Sequence, residues 1–87
     1  MTPDLEAYLT EVGKVTEAAE LAFGVVTDPA DLVDLYEEYF ARKGRLIRLR
    51  DGLTEFNVSD KIEACIRFVE SRNQIDAAYQ AAKRRLS

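Results

Sequence analysis

Five basic side chains fall within nine residues, Arg42, Lys43, Arg45, Arg48 and Arg50, and no acid interrupts them. Guanidinium and ammonium groups at this density suit one chemistry above others, the neutralisation of phosphate oxygens along a polyanion. The cluster marks an abrupt change of sign. Residues 1–38 carry ten Asp/Glu against one Lys, and residues 39–87 carry eleven Lys/Arg against six Asp/Glu, so the formal charge of −4 describes neither half. A basic patch can therefore meet a polyanion locally despite the acidic total.

Within the cluster two kinds of position are expected. On a helical wheel Lys43 and Arg50 continue the apolar stripe of Leu32, Tyr36, Tyr39, Leu46 and Leu53. Glu63 and Glu70 share their seven-residue spacing further on, which predicts cross-helix ion pairs Arg50–Glu63 and Lys43–Glu70, with Ile47 opposite Ile66 and the aliphatic stems lying over the seam. Arg42, Arg45 and Arg48 recur every three residues on the outward side. They form a solvated face or, more interestingly, a ridge that contacts phosphates.

Other chemistry is thinly represented. The chain has no His and no Trp, and its single cysteine, Cys65, sits in an apolar stretch, which excludes disulfide frameworks, zinc fingers and histidine-based triads. Asp34 with Glu37 and Glu38, and Glu17 with Glu20, stand at helical spacing without His or Cys partners, so they read as solvated faces. Tyr8, Tyr36, Tyr39 and Tyr79 lie on or beside apolar stripes, where packing with an exposed hydroxyl is the expected role. Cys65 reads as a small buried hydrophobe. No catalytic, cofactor or metal residues are expected, and 87 residues leave little room for a deep pocket.

The elements that must position the ridge are helical. Thr2-Pro3-Asp4 reads as an N-cap, a proline at the first helical position and a first-turn acid, opening the stripe Leu5, Tyr8, Val12, Val15, Ala19 and Ala22. Asp28-Pro29-Ala30-Asp31 repeats the signal after Gly24. A second helix is then expected from Pro29, carrying Leu32, Leu35, Tyr36, Tyr39, Phe40, Leu46, Ile47, Leu49 and Leu53, until Asp51-Gly52 begins its end. Asn57 or Ser59 can cap a third, with the stripe Ile62, Cys65, Ile66, Val69, Ile75, Tyr79, Ala82 and Leu86, and Lys83-Arg84-Arg85 suits its negative end. Arg72-Asn73-Gln74 interrupts that stripe and could set helix register.

The predicted fold is all-α: a single helical domain over residues 1–87 with helices at about 3–23, 29–53 and 58–86. The last two, about 25 residues each, should fold back as a long antiparallel α-hairpin of roughly 38 Å at 1.5 Å per residue, with the short N-terminal helix packed against one end. Gly44 is out of place in such a helix, where it costs about 1 kcal/mol relative to alanine; it implies a relaxed helix or a close backbone approach. No apolar run reaches a membrane span, and the start Met1-Thr2-Pro3-Asp4 lacks a basic, apolar leader, so cytoplasmic residence is expected.

The segment from Asp34 to Leu46 resembles the Tyr-Leu-Gly-Lys-Lys-Gly-x-Leu signature in the N-terminal arm of the bacterial phenylalanyl-tRNA synthetase alpha subunit. Tyr39, Gly44 and Leu46 match it, and Arg42 and Lys43 stand for its paired lysines. Phe40 replaces leucine and Ala41 replaces the first glycine. Asn73 resembles an asparagine of the family's returning helix about one turn further on than its pattern. The family's Pro-rich tip is replaced by residues 53–59. The resemblance implies a short helix followed by a projecting α-hairpin that contacts tRNA, without the catalytic core. On that basis Arg42, Lys43, Arg45 and Arg48 are the candidate nucleic-acid-binding residues, the partner is tRNA, and the chain is not an enzyme. The alternative from charge alone is a protein-interaction or self-associating helical module, whose acidic and basic halves meet complementary halves of another copy or partner.

Overall fold

The computed structural model describes residues 4–87, a rod of 44 × 19 × 15 Å built from helices. Helix α1 spans Leu5–Val25, α2 Pro29–Phe40, α3 Arg45–Gly52 and α4 Val58–Leu86, with a 3-10 turn at Leu53–Glu55 before α4. The all-α architecture is as the sequence implies, with no strand among the described residues. Thr2 and Pro3 lie outside the described residues. Asp4 is itself the N-cap of α1, its carboxylate accepting from the Glu6 N–H at 3.0 Å, and Asp28 caps α2 by accepting from Ala30 at 2.8 Å. Pro29 holds the first position of α2, and Asn57 caps α4 by accepting from the Asp60 N–H at 2.9 Å. Each side-chain oxygen satisfies an amide that the helix cannot.

The path of the chain follows from a few long-range contacts. Tyr8 meets Phe56 edge to face with centroids 5.2 Å apart, the Thr16 and Ser71 hydroxyls are hydrogen-bonded midway, and Phe23 meets Tyr79 at 5.8 Å. Residue numbers rise together on the two helices, so α1 and α4 run parallel. The intervening limb runs the other way, since Phe23 also meets Tyr39 and the Tyr8 hydroxyl donates to the Leu49 carbonyl at 2.9 Å. The molecule is thus a bundle of α1, the α2–α3 limb and α4. Helix α1 does not sit against one end of a hairpin as expected; it lies along α4.

The core explains why. Val12, Val15, Ala19 and Phe23 of α1 are buried with Ala64, Phe68, Ile75 and Ala82 of α4 and with Leu32, Tyr39, Leu46, Leu49 and Leu53 of the limb. On α4 the buried row includes Ala64 and Ser71, whereas Ile62, Ile66 and Val69 of the expected stripe are exposed. Small side chains let α1 approach closely, and dispersion contacts across that seam reward the approach. The buried hydroxyls are satisfied: Thr16 donates to the Val12 carbonyl at 2.7 Å and so accepts from Ser71.

The second expected helix is divided. At Ala41 the backbone leaves the helix (φ −68°, ψ 167°), and at Gly44 it is again extended (φ −73°, ψ 172°) before α3 begins. A Cβ on Gly44 would lie 2.8 Å from the Tyr39 carbonyl oxygen and 2.9 Å from that of Glu38. Gly44 is the residue that lets the chain close against the end of α2; the close backbone approach read from it is present, whereas the helix is not relaxed there but broken over residues 41–44.

The break also removes the expected seam pairs. Arg50 contacts Asp51 at 3.6 Å, and no Arg50–Glu63 or Lys43–Glu70 pair forms. Lys43 borders a hollow with Asp34, Glu37, Glu38 and Arg48, while Glu70 borders the α1–α4 groove with Glu17, Glu20 and Arg67. The register assumed one continuous helical phase through residue 44. Four residues outside the helix reset that phase, α1 borders the groove that carries Glu70, and Ile66 is 56% exposed while Ile47 is half-buried.

Candidate nucleic-acid interface

The break between α2 and α3 presents the basic residues. Ala41 ends α2 by donating to the Glu37 carbonyl at 3.1 Å, the Gly44 N–H returns to the Ala41 carbonyl at 2.8 Å, and the Arg48 N–H reaches the Gly44 carbonyl at 3.1 Å. Arg42 and Lys43 occupy the short link and are exposed, with no carboxylate within 4.0 Å among the described residues. Two cations just beyond the C-terminus of α2 oppose its negative end, a stabilising placement of about 0.3–1 kcal/mol at exposed sites. Their positions therefore have a structural role as well as an availability for ligands.

Arg45 and Arg48 sit in the first turn of α3. Gly44 provides no side-chain cap, and no acid occupies that turn, so the positive end of the helix adds to the cations around it. Arg45 is the most restrained of the four. Its guanidinium lies 3.7 Å from the Glu38 carboxylate and 5.5 Å from the centre of the Tyr39 ring. Burial pushes the Tyr39 phenol up, partly opposed by Arg45 and reinforced by Glu38. Because both charged groups of the pair are nearly half exposed, at 42% and 48%, the pair contributes no more than about 1 kcal/mol and can open toward another anion.

Arg48 is exposed and stands between two shallow hollows. One is shared with Glu11, Val15, Arg45 and Leu49, the other with Asp34, Glu37, Glu38, Ala41, Lys43 and Gly44. The structure thus brings Lys43, Arg45 and Arg48 to one region of the flank, although not as a straight ridge on one helix. Carboxylates from α1 and α2 border it. Their nearness attenuates the positive field of Lys43, Arg45 and Arg48, which share hollows with Glu11, Asp34, Glu37 and Glu38.

The other basic group, Lys83-Arg84-Arg85, behaves differently. Arg85 donates to the carbonyls of Phe23 at 3.0 Å and Val26 at 2.6 Å, so it closes the C-terminus of α1 rather than serving its own helix alone. Sequence spacing assigned the dipole effect to α4; the parallel α1–α4 arrangement, which brings residue 85 beside residue 23, was the missing information. Lys83 and Arg84 remain exposed. Among the described residues no group of three or more His, Cys, Asp or Glu side chains could hold a metal ion. No helix among them is long and apolar enough to cross a membrane.

Comparison with known proteins adds one relationship. Over 73 residues, 84% of the chain, the sequence is 29% identical to the phenylalanine–tRNA ligase alpha subunit of Idiomarina loihiensis. The chain spans 22% of the length of that subunit. No family model matches the chain, and no solved structure matches it.

Proposed function

We propose that this chain is a non-catalytic helical module that contacts the phosphate backbone of tRNA in the cytoplasm, in the manner of a synthetase arm. The observation that carries this reading is the exposed Arg42-Lys43 link, held against α2 by Gly44 and flanked by Arg48, at the residues that resemble the synthetase signature. Similarity to a tRNA ligase alpha subunit over most of the chain supports the same reading. The mechanism is electrostatic. Arg42, Lys43 and Arg48 neutralise phosphates and release counterions, Arg45 joins when it exchanges Glu38 for a phosphate oxygen, and the packed rod sets their spacing.

Each phosphate neutralised adds about 0.7–0.9 to the salt slope of binding, so three to four cations give a slope of about 2–4. Titration of labelled tRNA at about 50 and about 200 mM salt measures it. Binding that weakens by this slope supports the proposal, and no binding at the lower salt removes it.

A further inference from the structure

We propose that the outer face of the first half of α4 joins two copies of this chain, with their α4 helices parallel and in register. Val58, Ile62, Ile66 and Val69 are 78%, 59%, 56% and 41% exposed. Their spacing of four, four and three residues aligns them in a single stripe, roughly two-fifths of a turn round from the buried row of Ala64, Phe68, Ser71 and Ile75. Half-buried Cys65 lies on the edge of the stripe. Monomeric proteins scatter exposed aliphatics singly, whereas three contiguous turns of them on one helix face mark a contact surface.

The charges beside the stripe select the occupant. At 100° per residue, Lys61 and Arg72 flank it on one side and Glu63 and Glu70 on the other. A two-fold axis parallel to the helices turns unlike flanks toward each other. Lys61 then faces Glu63 of the second copy, and Arg72 faces Glu70 of the second copy, each pair offset by two residues, about 3 Å along the axis. Symmetry makes every such pair twice. An antiparallel pairing instead turns like flanks toward each other, so that Lys61 of one copy meets Arg72 of the second and Glu63 meets Glu70 of the second. The pattern is self-complementary in the parallel arrangement alone, which is why a second copy fits this face. Helix α1 packs on the far side of α4, at Ser71, and the groove between the two helices reaches round through Arg67 and Gln74 to Glu70, which lies between α1 and the stripe.

Four aliphatic side chains per copy make an interface at the small end of specific contacts, below about 1,200 Å² in total, so association is concentration-dependent. Sedimentation of the full chain from about 10 µM to about 1 mM is expected to pass from monomer to dimer. Ile66→Glu, at an exposed position, is expected to leave the circular dichroism of the helix unchanged and to weaken the dimer at least tenfold. Glu70→Arg is expected to weaken it as well, and adding Arg72→Glu to restore it. In a Cys65→Ser background, Val69→Cys copies are expected to cross-link to one another, and an equal mixture of Ile62→Cys and Val69→Cys to give mostly like-with-like products. A chain monomeric at the highest concentration, a dimer indifferent to Ile66→Glu, or mostly mixed cross-links would each overturn the proposal. None of these readouts involves RNA, so they stand apart from the tRNA reading.

Discussion

Gly44 lies against the last turn of α2 so closely that a Cβ there would come within 2.8 Å of the Tyr39 carbonyl oxygen. Backbone, unlike the end of a flexible side chain, has little freedom to retreat. Gly44→Ala is therefore expected to destabilise the fold by about 1–3 kcal/mol, the range for overpacking. Gly13 is different: nothing lies within 4 Å of a Cβ placed on it, and it stands inside α1. Gly13→Ala should stabilise by about 0.5–1 kcal/mol. Urea denaturation of the two variants checks the opposite signs.

Thr16 and Ser71 meet in the otherwise apolar seam between α1 and α4, both buried. Replacing one partner strands the other. Thr16→Val is expected to cost about 1–3 kcal/mol because the Ser71 hydroxyl loses its acceptor, whereas Thr16→Val with Ser71→Ala should recover most of that loss. A double-mutant cycle on denaturation free energies measures the coupling.

Burial pushes the Tyr8 hydroxyl up to about 12, with a smaller contribution in the same direction from Cys65, while the hydroxyl donates to the Leu49 carbonyl. The unfolded chain loses this proton near pH 10 and the folded chain near pH 12, so alkali favours unfolding between the two values. The stability of the wild type relative to Tyr8→Phe should be steady below about pH 10 and should decline between about pH 10 and pH 12. Denaturation of both proteins across that range checks the sign.

Much of the fold was legible in the residues. Asp28, Pro29 and Asn57 announced two helix starts because capping is local chemistry. The α1 stripe was readable from Val12, Val15 and Ala19, and the oddity of Gly44 was visible as a glycine within an otherwise helical pattern. What failed was phase. Seven-residue spacing carried Lys43 and Arg50 through a helix that is interrupted at residues 41–44, and large aliphatics at Ile62, Ile66 and Val69 outweighed the small Ala64 and Ser71 that α1 packs against. Close helix approach depends on small residues, which hydrophobic periodicity undercounts. For the same reason the full-length α1–α4 contact, and with it Arg85 at the end of α1, was not readable. The basic residues were identified from composition, but the Glu38 contact that restrains Arg45 depends on the break.

The central claim is that Arg42, Lys43 and Arg48 carry tRNA binding, and its most direct test is the salt slope of a variant lacking all three. Against wild type, the triple alanine variant should bind tRNA far more weakly, with the slope reduced by about 2–3, whereas alanine at both Lys83 and Arg84 should leave it nearly unchanged. An unaltered slope in the triple variant, or an equal loss in the Lys83 and Arg84 variant, would contradict the account.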